Sequence, residues 1–181
     1  PDHIRLVHHG VASERRSPRS MIEAIAQCDR RYSLHFMLLE NEYVRELRRQ
    51  AETLAPGRVT FHRPLPPEDI VGYLVQFDIG FYILPPQNYN QLVALPNKFF
   101  DFINAGLAVC IGPSPSMAEI VNAHSLGIVS PTFTPGDMAD LINRTTPEEW
   151  QRMKDRSRTA AQTLNAQNEM AKVVKIYQDL L

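Results

Sequence analysis

Only two cysteines occur in the 181 residues, Cys28 and Cys110, each inside an apolar stretch. Two isolated thiols make neither a disulfide framework nor a paired metal motif, so both are expected as buried free thiols in a reducing, cytoplasmic compartment. No apolar run approaches the ~18–20 residues that cross a bilayer, and no secretory leader is visible. Charge of one sign is not in excess: 19 Lys and Arg against 20 Asp and Glu leave a net −1. That balance gives no footing for nucleic acid or an anionic membrane. Several glycine and histidine motifs are missing as well. The loop after the first strand-like run reads Gly10-Val11-Ala12-Ser13-Glu14-Arg15 rather than G-x-G-x-x-G. There is no G-x-x-x-x-G-K-[ST], no G-x-S-x-G and no H-E-x-x-H. An ordinary dinucleotide site is disfavoured, and a P-loop, a hydrolase elbow and a zinc-peptidase helix are absent. The single tryptophan, Trp150, is most simply a packing anchor.

What is present is an ordinary globular composition, 44% hydrophobic and 22% charged, enough for one core-bearing domain. The chain opens at Pro1 and enters a strand-like run at once, as expected of a piece of a longer polypeptide. Apolar runs then alternate with amphipathic stretches. Strand-like runs are Ile4–His9, Leu34–Leu39, Val59–Phe61, Asp78–Leu84, Leu107–Ile111 and Leu126–Val129. Between them lie helical patterns such as Met21–Ala26 and Tyr43–Leu54, and Ile70, Tyr73, Leu74 and Phe77 recur at helical spacing. Near-continuous apolar strands separated by helices predict an α/β fold, a doubly wound parallel six-stranded sheet. Residues 1–145 are expected to form this Rossmann-like unit and residues 146–181 C-terminal helices. Such sheets bind ligands beyond the carboxyl ends of their strands, where strand order reverses, so chemistry is sought in those loops.

Two loops stand out. Gly10 is followed by Arg15 and Arg16, which put guanidinium forks suited to phosphate oxygens beside a glycine turn. Pro96 opens a helix whose first turn carries Asn97 and Lys98, with Asp101 one turn further on the same face as Asn97. Its amides and positive dipole end can meet an anion, and a carboxylate at that depth can accept bonds from vicinal ribose hydroxyls. His8 and His9 alternate faces of a strand and cannot both hold one ion.

These segments resemble the C-terminal lobe of GT-B glycosyltransferases, in the large retaining group known as family four or group one. Gly10, Arg16 and Ile22-Glu23-Ala24 fit that family's G-R-L-x-x-x-K-G and following L-I-E-A. Val11 stands where arginine is common. Pro96, Asn97, Lys98, Asp101, Phe102, Ala105, Gly106, Leu107 and Val109 fit its P-N-K-x-x-E-Y-x-A-x-G-x-P-V signature, with Asp101 replacing Glu and Ala108 replacing Pro. The family's further glutamate, eight residues earlier, is Val93 here. Arg63 follows the third strand where the family often has glycine.

The resemblance implies a nucleotide-sugar-binding half of a retaining hexosyltransferase-type enzyme of polysaccharide or glycan synthesis. Arg16 and Lys98 would act on the leaving diphosphate, with Gly10, Arg15, Arg63, Asn97 and Asp101 binding the donor. No metal or other cofactor is implied. An N-terminal acceptor-binding lobe of the same polypeptide is the expected partner, and peripheral membrane association would run through that lobe. This chain alone would be an inactive fragment. Alternatives are a degenerate nucleotide-sugar-binding module, favoured by Val93 and Val11, and a GT-B-type epimerase using His8, His9 or Glu40.

Overall fold

The computed structural model describes residues 3–14 and 18–164. The strands are β1 (Ile4–Gly10), β2 (Tyr32–Leu38), β3 (Val59–His62), β4 (Ile79–Tyr82), β5 (Ala108–Ile111) and β6 (Gly127–Val129). The helices are α1 (Arg19–Gln27), α2 (Glu42–Leu54), α3 (Pro67–Leu74), α4 (Tyr89–Leu92), α5 (Asn97–Asn104), α6 (Pro115–His124), α7 (Pro135–Arg144) and α8 (Pro147–Ala160). The six strands form one parallel sheet in the order β3-β2-β1-β4-β5-β6. The chain winds outward from β1 to β3, returns to lay β4 beside β1, and winds outward again. The strand order therefore reverses between β1 and β4.

Alternation along β1 sorts the two cores. Ile4 and Leu6 enter the cluster under α1, α2 and α7, whereas Val7 enters the one under α3, α5 and α6. Helices cover both faces, which is why the strands carry few polar positions. His8 and His9 are both buried in spite of their polarity.

Three local features fix how α5 and α2 sit on the sheet. A β-carbon on Gly80 would lie 2.2 Å from Cγ of Phe102, so the missing side chain lets α5 sit tight on β4. Gly106, at φ +70°, then ends α5: its amide bonds the Ile103 carbonyl at 2.9 Å and that of Leu107 the Phe102 carbonyl at 3.0 Å. Asn41 caps α2 by accepting from the Val44 amide, and its Nδ2 donates to the Ala12 carbonyl, both at 2.9 Å. This ties the loop after β1 to the start of α2.

Helix α8 is opened by a reciprocal cap between Thr146 and Glu149 and carries Trp150 into the first core. Trp150 Nε1 donates to the Tyr32 hydroxyl at 3.2 Å, and that hydroxyl donates to the Ile142 carbonyl at 2.9 Å. The expected division at residue 145 thus has a buried aromatic contact across it, and the part of the expected C-terminal helices beyond residue 164 lies outside the described residues. Cys28 and Cys110 are free and buried, and burial pushes the Cys28 thiol up to about 12. Among the described residues no helix is long and apolar enough to cross a membrane.

Candidate functional site

The end of β1 and the mouth of α5 meet at the reversal point. Gly10 closes β1 at φ +115°, a conformation that side-chain-bearing residues rarely adopt. A β-carbon there would also stand 2.9 Å from Nζ of Lys98. Glycine is required for its backbone, and its missing side chain leaves the lysine a passage. Lys98 runs across it so that Nζ lies 3.3 Å from Nε2 of His8 and 5.6 Å from the centre of the Tyr82 ring.

His8 is fully enclosed. Its Nδ1 is 2.9 Å from the Phe81 carbonyl oxygen, an acceptor, so Nδ1 carries the proton and Nε2 faces Lys98 with its lone pair. Burial first, and the Lys98 charge second, hold the ring well below the usual histidine range. It is therefore neutral near pH 7.

On the other face of β1, Nε2 of His9 stands 3.3 Å from Oδ2 of Asp101, at ion-pair distance but without hydrogen-bond alignment. The ring meets Phe102 edge-on, centroids 5.5 Å apart. Asp101 is part-exposed, so its carboxylate remains open to a ligand beside the cleft. The first turn of α5 has no side-chain cap at Pro96, leaving its positive end available to an anion. A cavity of about 230 Å³ adjoins His9 and Gly10, lined also by Met37, Leu39, Leu65 and Ile70. A smaller one of about 70 Å³ lies between Tyr82, Leu84, Gln91 and Pro96. The larger cavity of about 350 Å³ is at the opposite edge of the sheet, where Ile4, Trp150 and the Lys154–Asp78 pair line it. It is remote from the strand ends that bear the candidate residues.

Of the residues expected from sequence, Gly10, Lys98 and Asp101 come together. Asn97 is exposed at the start of α5, and Arg63 is exposed just beyond β3, next to the cavity-lining Pro64 and Leu65. Arg15 and Arg16 lie outside the described residues. Val93 ends α4 in a loop tied to α6: Ser114 Oγ donates to the Leu92 carbonyl at 2.5 Å and Ser116 Oγ to the Val93 carbonyl at 2.8 Å. Glu40 is paired with Arg48. Sequence reasoning passed over His8, His9 and Tyr82 as partners of Lys98 and Asp101. The available signal was two adjacent histidines at the end of a strand otherwise built for the core.

No family model matches this sequence, and no curated protein does. Solved structures match well in fold. A sucrose-phosphate synthase from Thermosynechococcus elongatus superposes with a TM-score of 0.77 at 15% identity, over 99% of this chain and 46% of that one. Anabaena Alr3699/HepE, solved in complex with UDP-glucose, gives 0.74 at 18% identity over 96% and 49%. The C-terminal domain of a group 1 glycosyl transferase, LpcC from Francisella tularensis, gives 0.69 at 10% identity over 89% and 85%. The fold is that of a GT-B glycosyltransferase lobe. The chain spans about half the length of the first two of these structures and most of the isolated C-terminal domain.

Proposed function

We propose that this chain is the donor-binding half of a retaining glycosyltransferase that moves a hexose from a nucleoside-diphosphate sugar to a hydroxyl acceptor. The observation that carries the proposal is the Lys98 ammonium held over Gly10 at the strand-order reversal, beside an uncapped helix mouth. A diphosphate seated there meets a fixed cation and oriented amides in one place.

In this reading the leaving diphosphate gathers negative charge as the glycosidic bond breaks. Lys98, with Arg16 and Arg15 on the loop after β1, stabilises that charge, and the amide of Asn97 assists. No metal ion is assigned to the step. Asp101 accepts from the ribose hydroxyls, and the apolar 230 Å³ cavity lined by its neighbour His9 suits a planar base, with Arg63 exposed just before the lining residue Pro64. Val11, Leu39 and Leu95 on the loops of the carboxyl edge, and Tyr89 on the short α4 between β4 and α5, are exposed large apolar side chains. A surface of that kind fits burial against an N-terminal, acceptor-binding lobe, which would exclude water from the donor. A role in polysaccharide or glycan synthesis, a cytoplasmic location and any membrane association through that lobe belong to the same proposal.

Calorimetry with UDP, GDP and ADP tests donor binding by the chain, with weak but selective binding expected. In a complete two-lobe enzyme, Arg16→Ala or Lys98→Ala should lower turnover by ~100-fold or more, as for loss of one transition-state charge partner. Normal turnover in both variants would defeat the assignment. The degenerate-module reading is favoured by Val93, an aliphatic side chain in a loop clamped to α6 where the family carries an acid. Failure to bind any of the three nucleotides would support it. Sugar epimerisation by the complete protein without acceptor would point instead to the epimerase chemistry.

A further inference from the structure

We propose that His8 is a positioning residue for Lys98, accepting a hydrogen bond from the ammonium so that the cation is aimed at the diphosphate subsite. The proposal rests on the donor-binding reading above, to which it adds a residue and a role.

Ile4 and Leu6 establish the face of β1 that builds the first core, and His8 is the next residue on that face. An apolar side chain would satisfy the packing there, next to Phe36 and Tyr82, whose rings lie 6.1 and 5.9 Å away. An imidazole buried in such a place is costly unless both nitrogens find partners. Both do. The Phe81 carbonyl on β4 takes the Nδ1 proton, which fixes the tautomer and turns the Nε2 lone pair toward Lys98. A lysine on a flexible four-carbon stem otherwise keeps rotamer entropy that a ligand must overcome. Here the stem is steered by the passage over Gly10, by the Tyr82 ring and by the His8 acceptor. His8 thereby links the ends of β1, β4 and α5 without itself reaching the ligand.

The test uses the 181-residue chain, which has four lysines, with ¹³C label at lysine Cε and the Lys98 signal assigned through Lys98→Arg. His8→Asn retains a short amide for the Phe81 carbonyl but cannot reach Lys98. His8→Phe fills the volume without an acceptor, and His8→Gln offers Oε1 near the original Nε2. In His8→Asn and His8→Phe the Lys98 signal should move toward those of exposed lysines. Affinity for whichever of UDP, GDP or ADP binds should fall about tenfold, as for loss of one bond to a charged group, with its monophosphate changed less than twofold. His8→Gln should restore both readouts. An unmoved Lys98 signal in either loss variant, or His8→Gln behaving like His8→Phe, overturns the proposal. If the wild-type chain binds none of the three nucleotides, the donor reading fails, and the Lys98 signal alone still decides whether His8 holds the amine.

Discussion

Gly10 and Lys98 are complementary to within an atom: a β-carbon on the glycine would occupy space 2.9 Å from the lysine nitrogen. The end of β1 and the mouth of α5 are therefore one site, and a change to either should be felt by the other.

Gly10→Ala should be doubly harmful. The +115° φ strains any side chain, at about 1–3 kcal/mol, and the new methyl group displaces the ammonium. Urea unfolding should report the first effect and calorimetry with a nucleoside diphosphate the second. Unchanged nucleotide affinity in a folded Gly10→Ala variant would remove Lys98 from the site.

Asp101→Asn keeps the volume and removes the charge. Affinity for the bound nucleotide should fall by about tenfold, the scale of a hydrogen bond to a charged group. Affinity for its 2′-deoxy analogue should change less. An equal loss for both sugars would show that Asp101 does not contact the ribose.

Acid should weaken the fold through a hydrogen-bonded relay on the sheet surface. His3 Nε2, Ser33 Oγ and His35 Nε2 are linked at 2.9 and 3.0 Å, His35 Nδ1 meets His62 Nε2 at 2.9 Å, and His62 Nδ1 meets the Tyr73 hydroxyl at 3.0 Å. Burial lowers His35 and His62, His35 to about 4. Between that value and the unfolded pKa of about 6.5, the unfolded chain binds more protons, so stability is complete above pH 6.5 and declines as pH falls toward 4. The urea midpoint should follow this course, and His35→Phe should flatten part of it. A midpoint constant from pH 7 to pH 4.5 would contradict the burial of this pair.

Trp150 decides whether residues beyond 145 belong to the sheet unit. Trp150→Ala removes a buried side chain and the donor to Tyr32, at an expected cost of about 3–5 kcal/mol. A chain ending at residue 145 should fail to unfold cooperatively in urea. If it unfolds as sharply as the longer chain, the division expected from sequence stands and α8 is an appendage.

Much of the fold was legible because its signals are local. Buried strands and amphipathic helices each have a period that survives without a neighbour, and Pro96 and Gly106 bracket α5 by their own backbone chemistry. The turn Tyr89–Leu92 was not legible: it is one short helix in a polar loop, capped by Asn88, and four residues hold too little periodicity to stand out. His8 and His9 were visible as residues but not as partners. Alternation put them on opposite faces of β1, yet only the neighbouring β4 carbonyl and α5 side chains reveal what each face meets.

From sequence alone came the α/β class, the parallel sheet and the two segments that resemble a donor-binding lobe, since these depend on residue type at short spacing. Tertiary structure alone decided that β4 returns beside β1, and therefore that Lys98 reaches His8 across 90 residues of chain. Strand order is chosen by packing over the whole sheet: the Gly80 recess seats Phe102, and that contact carries the first turn of α5 to the end of β1. No local period encodes such a choice.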